Sequence, residues 1–190
     1  MNINTVLGEI SPAELGMTLP HEHSLIDRYS VLRDYDSILD EEDLAIAELK
    51  DFSNLGGKSV IDLTVDDLGR DVEALQRISQ ATGLNIISGA GWYHKDYYKA
   101  EVEKNMSDQL AEKLLDEFVN GISGTNIKPG IIGEIGSGEE TGFISSSEER
   151  VLRAVAQVQK LTGVPISTHA YGSRVGLLQL EFLESLGVNP

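Results

Sequence analysis

Five short runs of apolar and β-branched residues alternate with five amphipathic helical patterns along the chain. The runs are continuously apolar rather than interleaved with polar residues, which is typical of strands buried on both faces of a parallel sheet. Strands that alternate with helices predict an α/β fold. The predicted strands cover residues 17–19, 59–63, 85–88, 130–135 and 164–168, and the predicted helices cover residues 43–55, 71–82, 108–122, 148–161 and 174–186.

Residues at the ends of the helical patterns support these boundaries. Ser145 and Glu148 have the spacing of a capping box, in which each residue satisfies a backbone N–H of the other. Gly83 and Gly163 stand just past the ends of their helices, where glycine commonly ends a helix.

The residues after the first predicted strand distinguish between two α/β architectures. A doubly wound nucleotide-binding sheet needs a glycine-rich turn there, whereas this chain continues with Pro-His-Glu-His at residues 20–23. That sequence cannot cradle a pyrophosphate, so the pattern favours the (β/α)8 TIM barrel. A complete barrel takes about 250 residues, and this chain has 190. We therefore expect a partial TIM barrel of about five β/α units out of eight, with residues 1–190 forming a single domain.

Composition and charge exclude several classes of protein. The chain has no cysteine, which excludes disulfides, thiolate metal sites and a cysteine nucleophile. Its net charge of −16 repels phosphate backbones and anionic lipids, so nucleic acid is not an expected partner. The first residues lack the basic and apolar regions of a signal peptide, and no uncharged apolar stretch approaches the ~20 residues that span a bilayer. We expect a cytoplasmic protein without a membrane segment.

Three of the four histidines, with one glutamate, fall at the carboxyl ends of predicted strands, where barrels carry their active sites. His21 and His23 follow the first strand, and side chains two residues apart on a strand point to the same side. Glu134 lies in an apolar strand flanked by glycines, so its burial requires a cation or several hydrogen bonds. His169 follows the fifth strand. Singly, these residues fit a polar loop or a core histidine, but together they predict a metal site.

Ordered motifs along nearly the whole chain resemble the phosphotriesterase family of the amidohydrolase superfamily. The first is Gly-Met-Thr-Leu-Pro-His-Glu-His, which is similar to the opening signature of that family. The motifs lie at residues 16–23, 60–64 with 68–71, 130–134 and 162–169.

The resemblance implies a TIM-barrel hydrolase with two divalent metal ions, usually zinc, at the mouth of the barrel. By position, His21 and His23 match the pair on the more buried ion. Glu134 matches the bridging ligand, and His169 matches a ligand of the more exposed ion. In such enzymes a hydroxide shared between the metals attacks an ester-like bond, which can be a lactone, a carboxylic ester or a phosphotriester. A small neutral ester or lactone suits the acidic surface of this chain.

The loop after the third predicted strand contains weaker candidates. In lactone-hydrolysing relatives a tyrosine at the position of Tyr93 lines the substrate pocket, so Tyr93 and Trp92 are candidates for substrate binding. The alternative is that both side chains pack beneath a loop. His94, Tyr97 and Tyr98 have no matching family residue, and we expect them at the surface. Near the second helix, Asp67, Arg70 and Asp71 are interpreted as structural residues.

The sequence also departs from the family pattern. Many relatives bridge the metals with a carboxylated lysine, whereas Glu134 lies one residue further along the strand and resembles a glutamate-bridged subset. A bulge or bend is then needed to point Glu134 inward. The family takes a further histidine from strand six and an aspartate from strand eight, and both positions lie beyond residue 190. We therefore expect the N-terminal portion of a longer hydrolase, with four of the six ligands and less than full activity by itself.

Two other functions stay open. A metal-dependent nuclease of the related barrel type also begins with His-x-His, but the charge of −16 opposes it. The second alternative function is that of a non-catalytic half barrel that only binds metal. Leucines crowd the last predicted helix and form an apolar surface, so a homo-oligomer is also expected.

Overall fold

A computed structural model describes residues 2–138, 142–170 and 174–189, and its centre is a curled five-stranded parallel sheet. Its strands, from one edge of the sheet to the other, are Thr18–Glu22, Ser59–Asp62, Asn85–Ala90, Ile131–Ser137 and Ile166–Ala170, so they lie side by side in the order in which they occur along the chain. The predicted α/β half barrel is therefore confirmed. In chain order the strands are β1 (Ile3–Thr5), β2 (Gly8–Ile10), β3 (Thr18–Glu22), β4 (Ile26–Asp27), β5 (Ile38–Leu39), β6 (Ser59–Asp62), β7 (Asn85–Ala90), β8 (Ile131–Ser137) and β9 (Ile166–Ala170).

Helices connect the strands of the sheet and pack against it. The capping box of Ser145 and Glu148 is present, and Gly83 and Gly163 both end their helices with φ of 72°. The third predicted helix ends earlier than residue 122, because Gly121 leaves the helical conformation with φ of 103°. The helices are α1 (Tyr29–Leu32), α2 (Glu42–Asn54), α3 (Val72–Thr82), α4 (Ala100–Lys104), α5 (Ser107–Asn120), α6 (Ser146–Thr162) and α7 (Arg174–Ser185).

Two antiparallel hairpins precede the second strand of the sheet and were not predicted from the sequence. The pair β1–β2 lies beside β7, where the N–H of Val6 donates to the carbonyl of Ile86. The pair β4–β5 follows β3 and contributes to the cavity beside it. Their strands of two or three residues are too short to produce a periodic pattern.

The apolar core is divided between two main clusters. One joins α5, α6 and α7 to β7 and β8, and the other joins α2 and α3 to β6 and β7. Buried members of the first include Leu110, Leu114, Ile132, Ile135, Leu152, Val155 and Leu183. Buried members of the second include Leu49, Val60, Leu75, Ile78 and Ile86.

Strand β3 contains an irregularity at the first motif. Its register against β6 shifts between Leu19 and Glu22, so that Pro20 and His21 stand opposite one residue. Proline has no N–H to donate to the ladder, which accounts for the interruption. The strand resumes at Glu22, opposite Asp62. It therefore runs further than the predicted 17–19 and includes His21.

Strand β8 contains a second irregularity, which confirms the predicted bulge. Its register against β9 shifts between Ile132 and Ile135, so that Gly133 and Glu134 stand opposite one residue. The Gly133–Glu134 peptide bond is cis. A Cβ at Gly133, where φ is 132°, would lie 2.4 Å from a carbonyl oxygen of β9, and a Cβ at Gly89 would lie 2.0 Å from the carbonyl oxygen of Gly133. Both positions require glycine.

The outer surface of α7 exposes apolar side chains. Leu177 and Leu180 are exposed, whereas Leu183 on the same helix is buried. The homo-oligomer expected from this surface stays a prediction. Among the described helices, none is both long and apolar enough to cross a membrane.

Helix α6 allows a matched test of the core. Leu152 is 0% exposed and Leu161 is 71% exposed on the same helix. We expect Leu152→Ala to lower the free energy of unfolding by about 2–5 kcal/mol, because it opens a cavity among packed side chains. Leu161→Ala should change it by less than about 0.5 kcal/mol. Urea denaturation followed by circular dichroism measures both values, and equal losses would contradict this assignment of the core.

Candidate metal centre

Three histidines surround the carboxylate of Glu134 at the carboxyl end of the sheet. Nε2 of His21 lies 3.3 Å from Oε2 of Glu134, and Nε2 of His23 lies 3.2 Å from Oε1. Nδ1 of His169 lies 2.9 Å from Oε2. The structure thus brings together all four residues that the sequence analysis proposed as metal ligands. They come from three strands: His21 and His23 from β3 and the residue after it, Glu134 from β8, and His169 from β9.

The spacing of these groups suits a metal ion. Ligand atoms of His21, His23 and Glu134 all lie within 4.8 Å of one another. Zinc binds imidazole nitrogen and carboxylate oxygen at about 2.0–2.2 Å, so ligand atoms on opposite sides of one ion stand about 4 Å apart or less. Two imidazoles with one carboxylate also form a donor set that divalent transition metals accept. The residues present therefore fit a divalent cation.

The electrostatics of the cluster keep Glu134 ionised. Its side chain is only 3% exposed. Burial raises the pKa of the carboxyl, but the hydrogen bonds and charges of His169 and His23 lower it more, and the pKa settles at about 2. An ionised, buried carboxylate whose two oxygens lie beside imidazole nitrogens is a strong ligand for a cation.

The cluster opens into a cavity of about 340 Å³. Its walls combine the four cluster side chains with apolar and aromatic groups, as is usual for a small-molecule site. The other lining residues are Ile26, Arg28, Leu39, Leu68 and Tyr93.

Tyr93 is held in this cavity through its backbone. Both carboxylate oxygens of Asp67 accept the N–H of Tyr93 at 3.0 Å, and the N–H of Gly136 donates to the Tyr93 carbonyl at 2.6 Å. The Tyr93 hydroxyl lies 3.1 Å from Nε2 of His169. The side chain therefore contacts the cluster and lines its cavity, while the proposed role of Tyr93 in substrate binding stays a prediction.

Trp92 points in a different direction. Its side chain packs in the core cluster around α5 and α6, and it lines a separate small cavity beside Lys113 and Glu117. Its proposed role in substrate binding stays a prediction.

The expected surface position of His94, Tyr97 and Tyr98 is wrong. His94 is 2% exposed, Tyr97 is buried and Tyr98 is half-buried. The loop after β7 folds back over the end of the sheet, and the His94 ring packs against the Tyr93 and Tyr97 rings at centroid distances of 4.4 and 4.8 Å. This burial depends on contacts between distant segments, which local sequence does not reveal.

Residues near the second helix have roles that the sequence defined only in part. Asp71 caps α3 by accepting the N–H of Ala74, and buried Arg70 forms an ion pair with Glu117, so both are structural as predicted. Asp67 has the additional role of fixing Tyr93. The sequence offered one indication of this role: Asp67 follows a predicted strand at the end of the barrel where the active site was expected.

The comparison with known sequences decides the family. A sequence profile of the phosphotriesterase family matches residues 1–189. The chain belongs to the phosphotriesterase family. The resemblance derived from the ordered motifs is thereby confirmed.

Individual relatives agree with this assignment. A phosphotriesterase homology protein of Escherichia coli is 36% identical over 174 residues, which cover 92% of this chain and 59% of that protein. An N-acetyltaurine hydrolase of Xenopus tropicalis is 34% identical, covering 88% of this chain and 56% of that protein. A lactonase from Listeria monocytogenes superposes with a TM-score of 0.89 at 30% identity, covering 99% of this chain and 62% of that one. The chain thus spans about three fifths of the length of these relatives.

Asp67 makes the stability of the protein depend on pH. Burial raises its pKa to about 7, although hydrogen bonds from the Tyr93 backbone act in the opposite direction. An unfolded aspartate titrates near 3.9, so between about pH 4 and pH 7 the folded protein holds a proton that the unfolded chain has lost. This contribution to the free energy of unfolding is complete below pH ~4 and is lost as the pH rises to about 7. The total loss is about 4 kcal/mol at most.

We expect Asp67→Asn to flatten the pH dependence of unfolding between pH 4 and 7, since asparagine does not titrate. Urea denaturation at unit pH steps measures the slope. Asp43→Asn, which changes an exposed aspartate in the first turn of α2, is the matched control and should keep the wild-type slope. Parallel curves for wild type and Asp67→Asn would show that Asp67 is not the source.

Proposed function

We propose that this chain forms the metal-binding part of a hydrolase that cleaves ester-like bonds, with His21, His23, Glu134 and His169 as ligands. The observation that carries the proposal is the buried Glu134 carboxylate with three imidazole nitrogens within 3.3 Å. A carboxylate that only forms a structural ion pair needs one partner. Here three histidines from two separate strands contact one carboxylate, which is the arrangement expected around a shared cation.

Both carboxylate oxygens of Glu134 have imidazole neighbours. Its Oε1 faces His23, while its Oε2 faces His21 and His169. Both oxygens are thus beside imidazole nitrogens, which supports Glu134 as a ligand shared between cations. The oxygens do not divide the histidines as the family pattern does, in which His21 and His23 would hold one ion and His169 the other. Zinc is the first candidate, and manganese, iron and cobalt accept the same nitrogen and oxygen ligands.

The chemistry of the site follows from these ligands. When bound, the cations supply a hydroxide at neutral pH and polarise a carbonyl or phosphoryl oxygen. The protein positions the substrate beside them: Tyr93 faces the cavity, and Ile26, Leu39 and Leu68 provide an apolar wall. A neutral substrate suits a chain of net charge −16, because an anion would be repelled on approach. We therefore propose a lactone, a carboxylic ester or a phosphotriester as substrate.

Metal binding is the first test. We expect His23→Ala to lower the bound zinc by about one ion per chain, because the substitution removes a direct ligand. The matched control is Glu22→Ala, which removes a carboxylate from the adjacent position whose side chain lines a different cavity. Elemental analysis after dialysis against limiting Zn²⁺ measures both. Equal zinc content in His23→Ala and wild type would contradict the ligand assignment.

Hydrolysis is the second test. The chain loaded with zinc, manganese or cobalt is assayed against aliphatic lactones, aryl esters, phosphotriesters and N-acetyltaurine, the last because a relative carries that name. We expect turnover of a neutral lactone or ester that is lost in the isosteric Glu134→Gln variant. Tight metal binding without turnover of any substrate would overturn the hydrolase proposal for this chain and favour a metal-binding half barrel.

A further inference from the structure

A buried threonine hydroxyl stands behind one of the proposed ligands. Oγ1 of Thr64 lies 3.0 Å from Nδ1 of His23, on the side of the ring away from Glu134. The same oxygen lies 3.0 Å from the carbonyl oxygen of Leu25. Thr64 follows β6 and is buried, so water does not compete for these contacts.

The number of protons on these groups decides the direction of both hydrogen bonds. A hydroxyl carries one proton, and a carbonyl oxygen can only accept. Thr64 therefore donates to Leu25 and has only lone pairs to offer His23. The contact with His23 is then favourable only when Nδ1 carries a proton and donates it.

We infer that Thr64 is a positioning residue that holds the proton of His23 on Nδ1 and so reserves Nε2 for a cation. Nε2 is the nitrogen that lies 3.2 Å from Oε1 of Glu134. An N–H at Nε2 would donate to that carboxylate in the metal-free protein, and a cation would replace this proton while the one on Nδ1 stays in place. A histidine with the opposite tautomer would present an N–H to the cation and could not bind it. The inference rests on the proposed metal centre.

The backbone around Thr64 keeps the hydroxyl in register with the ring. The buried carboxylate of Asp62 accepts the Thr64 N–H at 3.1 Å through Oδ1 and the Ser24 N–H at 2.7 Å through Oδ2. Asp62 thus ties the residue after His23 to the residue that bears the hydroxyl. This arrangement fixes the distance between the two strand ends independently of any bound ion.

The tautomer can be measured in the metal-free wild-type protein. Long-range ¹H–¹⁵N correlation spectra of the metal-free protein distinguish protonated from unprotonated ring nitrogens, and His23→Gln assigns the signals. We expect these spectra to show a proton on Nδ1 of His23. A neutral His23 with its proton on Nε2 would overturn the inference.

Variants test the consequence for metal affinity. We expect Thr64→Val to weaken zinc binding about tenfold to a hundredfold in a chelator competition assay and to mix the two tautomers. Thr64→Ser keeps the hydroxyl and should stay within about threefold of wild type. The matched control is Thr82→Val, which removes a buried hydroxyl that donates to Ile78 in α3, far from the cluster.

The outcomes separate this inference from the proposed function. Wild-type protein that binds no zinc would refute the metal centre, while the spectra of the metal-free protein would still report on Thr64. Zinc binding that is equally tight in wild type and Thr64→Val would refute the role of Thr64 alone. Equal weakening in Thr64→Val and Thr82→Val would assign the effect to general destabilisation and would also refute it.

Discussion

The burial of one carboxylate determines how the mouth of this half barrel is built. Glu134 lies inside an apolar strand, where an isolated charge would be prohibitively unfavourable. The neighbouring strands compensate for it with imidazoles, two from the end of β3 and one from β9. The groups behind those imidazoles are themselves fixed: Thr64 contacts His23, and Tyr93 contacts His169. The polar network is therefore organised outward from Glu134.

Two irregular strands make this arrangement possible. A regular strand alternates its side chains, so a one-residue slip would turn Glu134 away from the histidines. The bulge in β8 corrects that slip, and the one in β3 accommodates Pro20 immediately before His21. Bulges beside functional sites commonly redirect a side chain in this way. The glycines at 89 and 133 allow the strands to approach closely enough to hold the bulge in β8.

Local sequence was sufficient for the architecture and for the members of the cluster, because long apolar runs and helix caps leave strong periodic signals. His-x-His and a glutamate in an apolar strand were informative, since both are unusual at strand ends. The hairpins β1–β2 and β4–β5, the burial of His94 and the contacts of Asp67 and Thr64 were not predicted. The hairpins have strands too short to produce a periodic pattern, and the other features depend on segments that are distant in sequence. The ends of β3 and β9 were also placed too early, because pairing with a neighbour extends a strand beyond its apolar residues.

The central claim is that the Glu134 cluster is a metal centre, and anomalous diffraction from crystals grown with Zn²⁺ tests it most directly. The account predicts an anomalous peak about 2.0–2.2 Å from imidazole nitrogens of the cluster and from a carboxylate oxygen of Glu134. Data collected above and below the zinc edge identify the element. Zinc found only at surface carboxylates, with no peak among His21, His23 and Glu134, would contradict the account.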